Sequence, residues 1–221
     1  MARLTHYNRR ILTILLTGLI TFGGPAHAQD VAEIPLFDAP SGTAALGGGL
    51  RFGQSPYLAP DNEDQRQVDL IPMYLYEGRY LFARGTQGGV HLVNSDLWEL
   101  NLLLRYRFQK LDPGSNSFYD GLEKREQSLD GGIAVRFKPS WGEINARNVW
   151  DTLTRHHGEE AQLSYRNNFL LGHWTVSPFI GRSWNDAHLT NYYFGVSESE
   201  AQPDRPAYAP GESQWLRFGV N

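Results

Sequence analysis

Residues 96–108 read Asp96-Leu97-Trp98-Glu99-Leu100-Asn101-Leu102-Leu103-Leu104-Arg105-Tyr106-Arg107-Phe108. Trp98, Leu100, Leu102, Leu104, Tyr106 and Phe108 share one face; Leu97, Glu99, Asn101, Leu103, Arg105 and Arg107 share the other. Successive side chains of a strand point to opposite sides, so this segment predicts a strand with one wholly apolar face and one largely charged face. Two architectures take such a strand. In a soluble sandwich the apolar face packs on a second sheet; in an outer-membrane barrel it meets lipid while the polar face lines the interior. The run from Trp98 to Phe108 matches the roughly 9–11 residues of a tilted bilayer-crossing strand, whereas soluble strands average about 5–6. Its aromatic ends, Trp98 at one and Tyr106 with Phe108 at the other, fit two interfacial girdles. The membrane reading is preferred.

The pattern recurs along the chain. Leu129, Gly131, Ile133, Val135 and Phe137 alternate with Asp130, Gly132, Ala134, Arg136 and Lys138. Ala161, Leu163, Tyr165, Phe169 and Leu171 oppose Gln162, Ser164, Arg166, Asn168 and Leu170, with Asn167 interrupting the apolar face. Trp174, Val176, Ile180 and Trp184 oppose Thr175, Ser177 and Ser183, and Leu170 to Trp174 predicts a tight hairpin. Shorter strands are expected at 44–53, 67–76, 80–84, 90–93, 141–152 and 215–220. Polar stretches at 54–66, 112–127 and 197–213, rich in Pro, Gly, Asp, Asn or Ser, predict long loops. Pro72 and Pro178 fall inside predicted strands, where a missing N–H calls for a bulge.

Composition agrees with this class. The 221 residues include no cysteine, which excludes disulfides, thiolate metal sites, a cysteine nucleophile and a lipoprotein acyl anchor. Mean hydropathy is −0.44, and the one long apolar run lies at the N-terminus, so a polytopic helical membrane protein is excluded. A formal charge of −4, more acidic still without the basic leader, argues against a nucleic-acid partner. Arg3, Arg9 and Arg10 precede an apolar stretch from Ile11 to Phe22, then Gly23-Gly24-Pro25 and the small-x-small triplet Ala26-His27-Ala28. That stretch is too short for the about 20 residues that a helix needs to cross a bilayer. Residues 1–28 therefore read as a signal peptide cleaved between Ala28 and Gln29. Residues 29–43 read as an irregular entry, and 44–221 as an antiparallel transmembrane β-barrel of about 10–12 strands in the outer membrane of a Gram-negative cell.

The chemistry-bearing residues are sparse. His156-His157-Gly158-Glu159-Glu160 is the densest cluster, but adjacent strand side chains diverge, and it reads as a solvated turn. Asp61-Asn62-Glu63-Asp64 could offer oxygens to calcium, yet it lacks the glycine and distal glutamate of an EF-hand loop and reads as solvated. No spacing among His91, His156, His157, His173 and His188 singles out a Ser–His–acid triad. Arg105, Arg107, Arg136 and Arg166 on interior faces are expected to pair with Glu99 and Asp130, either selecting charge in a pore or plugging a narrow lumen, with the plug favoured. No catalytic, cofactor-binding or metal-binding residue is assigned.

Residues 184–197, from Trp184 through Tyr192-Tyr193-Phe194-Gly195-Val196-Ser197, and then Pro206-Ala207-Tyr208-Ala209-Pro210-Gly211, resemble the MipA/OmpV family of outer-membrane proteins, named for interaction with the lytic transglycosylase MltA. The glycine-rich strand 47–53 followed by Ser55-Pro56-Tyr57, and the Pro72 region leading to Gly78-Arg79-Tyr80-Leu81-Phe82, are similar too. Ala59-Pro60-Asp61-Asn62 departs from the family's Gly-Ser-Asp-Asp-like loop. The family pattern also continues through further strands to a terminal aromatic, which implies a barrel here lacking its last strands. The resemblance implies an outer-membrane barrel without catalysis, in contact with outer-membrane lipid, that scaffolds murein synthesis by bridging a lytic transglycosylase and a penicillin-binding protein. The alternatives are a small solute channel or a lipid-modifying barrel enzyme. Trp184, Tyr193, Phe194, Gly195, Val196, Pro206 and Tyr208 are expected to act structurally.

Overall fold

In the computed structural model of the chain, residues 41–54, 66–115, 117–172 and 174–220 are described. The predicted leader with its Ala28–Gln29 junction, the acidic loop 61–64 and His173 lie outside them. The main sheet has ten antiparallel strands in the order β1 (Thr43–Gln54), β2 (Arg66–Glu77), β3 (Leu81–Arg84), β4 (Gln87–Asn94), β5 (Trp98–Arg107), β6 (Ser128–Phe137), β7 (Glu143–Asp151), β8 (Glu159–Arg166), β11 (Pro178–Asn185) and β12 (Ser213–Val220). Between β8 and β11, β9 (Phe169–Leu171) and β10 (Trp174–Val176) form the expected hairpin, with Leu171 opposite Trp174. Every neighbour in the main sheet up to β8 is also the next strand in sequence, the up-and-down connectivity of a barrel. Among the described residues no ladder joins β1 to β12.

The faces are inside out relative to a soluble protein. Along β5 the burial alternates strictly from Glu99 to Arg107 except at half-buried Leu100: Glu99, Asn101, Leu103, Arg105 and Arg107 are buried, while Trp98, Leu102, Leu104 and Tyr106 are exposed. Leu103 is 5 % exposed and its neighbour Leu104 50 %. The exposed side chains of β6, β8, β11 and β12, among them Ile133, Leu163, Ile180, Leu216 and Phe218, continue the apolar surface. Two aromatic groups bound it. At one end Trp98 stacks on Phe137 at 4.4 Å, Phe137 meets Trp141 at 6.3 Å, and Trp141 meets Tyr165 at 5.9 Å. At the other, Tyr106 meets Phe108 edge-on at 4.7 Å. Trp98 and Tyr106 lie about 27 Å apart along β5, comparable before tilt with an apolar band of about 25 Å.

The sheet curls around its polar face. Three strand spacings would separate β5 from β8 by about 14 Å in a flat sheet, yet Arg105 on β5 donates to Glu160 on β8 at 2.7 Å. One interior row shows how the curl is accommodated. Gly89, Leu103, Gly132 and Val149 are successive register partners across β4 to β7, and small residues alternating with large ones fit the inside of a tight curve. A Cβ on Gly132 would lie 2.2 Å from the Asn148 carbonyl oxygen, so only glycine fits there. Phe82, Leu103, Ala134 and Val149 form a small apolar cluster within an otherwise polar interior.

Three expectations are corrected. The register passes through Pro72, opposite Gly48, without a shift, and Pro178 is the first residue of β11. There β3 is too short to reach Pro72, whose described pairing on that side of β2 starts at Leu75, and a strand's first residue needs no ladder N–H. The register shift of the main sheet instead lies between His91 and Val93 in β4. Residues 187–194, in a chain read as all strand and loop with no helix predicted, form an α-helix, α1 (Ala187–Phe194), capped by Asp186, whose side chain accepts from the Leu189 N–H at 2.8 Å. The third correction concerns His156 and Glu160.

Candidate functional site

The 156–160 segment is not a solvated turn. His157 and Glu159 are exposed, but His156 and Glu160 are buried and point inward. The interior register Glu160, Gln162, Ser164, Arg166 carried the signal, since alternation along β8 extends back to Glu160. Glu160, 2 % exposed, accepts from Arg105 at 2.9 and 2.7 Å and from Arg107 at 2.9 Å, with Arg147 3.6 Å away. Arg107 also donates twice to Asp130, at 2.9 and 2.6 Å. The other Asp130 oxygen accepts from Ser128 Oγ at 2.8 Å and lies 3.1 Å from His156 Nε2. Because Gly158 N–H donates to His156 Nδ1 at 3.1 Å, Nε2 carries the proton that His156 gives to Asp130. The expected pairing of Arg105 and Arg107 with Asp130 and of Arg136 with Glu99 is present; Arg166 pairs with Glu143 instead. Guanidiniums from β5 and β7 thus meet carboxylates from β6 and β8 across the interior, near the strand ends that carry the long connections.

Asp130, Asp151 and His156 bring metal-ligating atoms within 4.8 Å of one another. Their lone pairs are already engaged. Asp151 accepts from the N–H groups of His156, His157 and Leu153 at 2.7, 2.9 and 2.9 Å, and the two guanidiniums on Asp130 oppose a cation. Ser128 Oγ donates to Asp130 and Asp151, not to imidazole, so this group lacks the Ser–His hydrogen bond of a hydrolase.

At the end carrying the short turns, a chain of ion pairs links opposite charges: Glu77 to Arg84, Arg84 to Glu99, Glu99 to Arg136, Arg136 to Glu143 and Glu143 to Arg166, all at 2.8–2.9 Å. His91 joins it through Glu77 at 3.0 Å and Asn101 at 2.6 Å. Above this floor lies an open cavity of about 690 Å³ lined by polar and charged residues.

The opposite end carries the segments 108–127 and 186–212, and there the sequence motif has its place. Tyr193 is buried and donates to the Glu126 carbonyl at 3.1 Å, while Tyr192 accepts from the Glu126 N–H at 2.9 Å. Gly195 caps α1 through Asn191, and Val196 pairs with Tyr208 as an isolated antiparallel bridge. Phe194 is half-buried, Pro206 is exposed, and Trp184 on β11 lies under the Arg182 guanidinium at 5.3 Å. Gly158 supports α1, since a Cβ there would meet the Leu189 nitrogen at 2.4 Å. The latch between the two segments is Glu200, which accepts from Arg125 at 2.7 Å and from the N–H groups of Glu123 and Ser197 at 2.6 and 2.8 Å. Burial pushes the Glu200 carboxyl up, but the two N–H groups and the Arg125 guanidinium outweigh it and hold the carboxyl below its ordinary range. A depressed acid contributes its full stability above its unfolded value and loses it as pH falls. Acidification below about pH 4 is therefore expected to loosen the two segments. Glu200→Gln does the same at neutral pH, costing about 1–3 kcal/mol. Limited proteolysis within 112–127 checks both: cleavage speeds up while the strands stay protected.

Comparison with known proteins agrees with this geometry. The outer membrane protein YiaT of Escherichia coli K12 is 28% identical over 176 residues, covering 79% of this chain and 70% of its own. The MltA-interacting protein of the same strain is 27% identical over 208 residues, covering 91% and 77%. The outer membrane protein OmpV of Vibrio cholerae is 30% identical over 100 residues, covering 45% and 39%. No solved structure matches. A family model described as MltA-interacting protein MipA matches residues 46–221, and this chain, a strand-built protein of the outer membrane, belongs to that family.

Proposed function

We propose that this protein is a non-enzymatic scaffold of the outer membrane that gathers murein-processing enzymes: a lytic transglycosylase of the MltA kind and, beside it, a penicillin-binding protein. The observation that supports this reading most is the interior itself. Its carboxylates and guanidiniums pair with one another across the interior, so the surfaces open to partners lie at the two ends. The names of the relatives, outer-membrane or MltA-interacting proteins, point the same way. In this reading the short turns face the periplasm, where murein enzymes work, and the long connections face outward. Residues 1–28 are removed between Ala28 and Gln29, 29–43 lead into the barrel, and 44–221 belong to it. The residues from Trp184 to Tyr208 serve structurally, by holding the outer connections together.

The test uses the full chain in a detergent that preserves the fold, mixed with purified MltA-type transglycosylase and a bifunctional penicillin-binding protein. Co-elution of the transglycosylase, and a ternary complex when all three are present, is the expected result; separate elution of all three would refute the scaffold. The ion pairs that bridge the interior also predict silence in planar-bilayer conductance, against the channel alternative.

A further inference from the structure

The cavity at the short-turn end has the chemistry of a ligand site that the scaffold reading does not use. Its floor is electrically closed. The lining acids Glu77, Glu99 and Glu143 are matched by Arg84 and Arg136 of the lining and by Arg166 outside it, each link at 2.8–2.9 Å, so the floor's acids are neutralised and held in place by ion pairs. The mouth is different. Arg79 is exposed, and its guanidinium lies over the Tyr80 ring at 5.1 Å. Lys138 reaches an acid only at 3.8 Å, to Glu99. Asp96, also exposed, has no ion pair among the described residues. Two weakly committed cations and one anion therefore line the same opening, with the amides of Asn94, Asn167 and Asn168 beside them. The lining contains no large apolar side chain, so a lipid tail or an aromatic drug-like ligand has nothing to bury there. The volume of about 690 Å³ lies within the range of small-ligand pockets.

We propose that this cavity binds a short acidic peptide, one carrying two carboxylates and one ammonium group. The carboxylates meet Arg79 and Lys138, the ammonium meets Asp96, and the peptide groups meet the asparagine amides, which can both donate and accept. The neutral floor supplies a fixed polar surface without competing for the ligand's charges. Because the rim is solvated, each contact is individually weak, and affinity on the order of a millimolar dissociation constant is expected. This inference does not depend on the partner enzymes and stands or falls separately from them.

The experiment titrates the tripeptide Ala-Glu-Ala into the full chain folded in detergent micelles, followed by backbone amide shifts in NMR. Ala-Lys-Ala, of opposite net charge, is the comparison peptide. Saturable shifts at Asn94, Ser140, Asn167 and Asn168, with Tyr208 at the far end unmoved, are expected. Ala-Lys-Ala binds about tenfold more weakly, and so does Ala-Glu-Ala to the Arg79→Glu and Lys138→Glu variants. Retention of the heat-modifiable gel band shows that each variant is folded, and Arg79→Gln, which keeps a polar side chain at an exposed position, provides a milder second variant. Equal binding of the two peptides, shifts spread over both ends, or affinity unchanged in all three variants would overturn the proposal.

Discussion

Replacing Glu160 with alanine is expected to cost about 3–5 kcal/mol and to remove most of the folded, heat-modifiable protein. The reason is what remains behind. Arg105 and Arg107 each donate to Glu160, and Arg147 lies 3.6 Å away, all three buried. Without Glu160, Asp130 alone would face Arg105 and Arg107, and Arg147 would lose its nearby acid. Truncating one partner of a buried network leaves charge that neither protein nor water stabilises. Glu159→Ala, one residue away on the exposed side of β8, should change stability by no more than about 0.5 kcal/mol. Urea titration of the unboiled gel band measures both, and similar stabilities for the two variants would show that the interior charges are not mutually dependent.

The second large effect lies on the other face. Leu102→Arg, near the middle of β5, places a guanidinium where the bilayer reading puts hydrocarbon, at a cost of about 2–4 kcal/mol. Leu102 is already 42 % exposed to the surroundings of the sheet, so the same change in a protein bathed in water would cost only about 0.5 kcal/mol. The two environments therefore differ in their effect on one substitution. Refolding yield into phospholipid vesicles, compared with the native chain, reads the difference.

Much of this architecture was legible in the residues because the alternation has a direct physical cause. In β5 and β6 every outward position is apolar or glycine and the inward face carries nearly all the charge, so strand, faces and environment followed together. Strand limits came within a few residues, as for β12, expected at 215–220 and found at Ser213–Val220. The helix at Ala187–Phe194 was hidden because it is only two turns long, has a weak apolar stripe and sits inside the motif that carried the family resemblance. The knot of interior charges was half visible. Arg105 and Arg107 were placed inside with Asp130 as a partner, but Glu160 lies 55 positions from Arg105 in sequence, and only the curl of the sheet brings β5 and β8 together. The latch at Glu200 was invisible for the same reason: its partner Arg125 is 75 positions away, in another connection.

The most direct test of the inside-out strand follows the environment of each residue along β5. The absence of native cysteine makes single cysteine substitutions from Trp98→Cys to Arg107→Cys unambiguous sites for a nitroxide label in phospholipid vesicles. Collisions with dissolved oxygen, which concentrates in lipid, are expected to be frequent at 98, 100, 102, 104 and 106 and rare between them. Collisions with a water-soluble nickel chelate should stay low at 100, 102 and 104. Even-numbered positions as open to the chelate as a surface loop, or an oxygen profile without a period of two, would contradict the barrel.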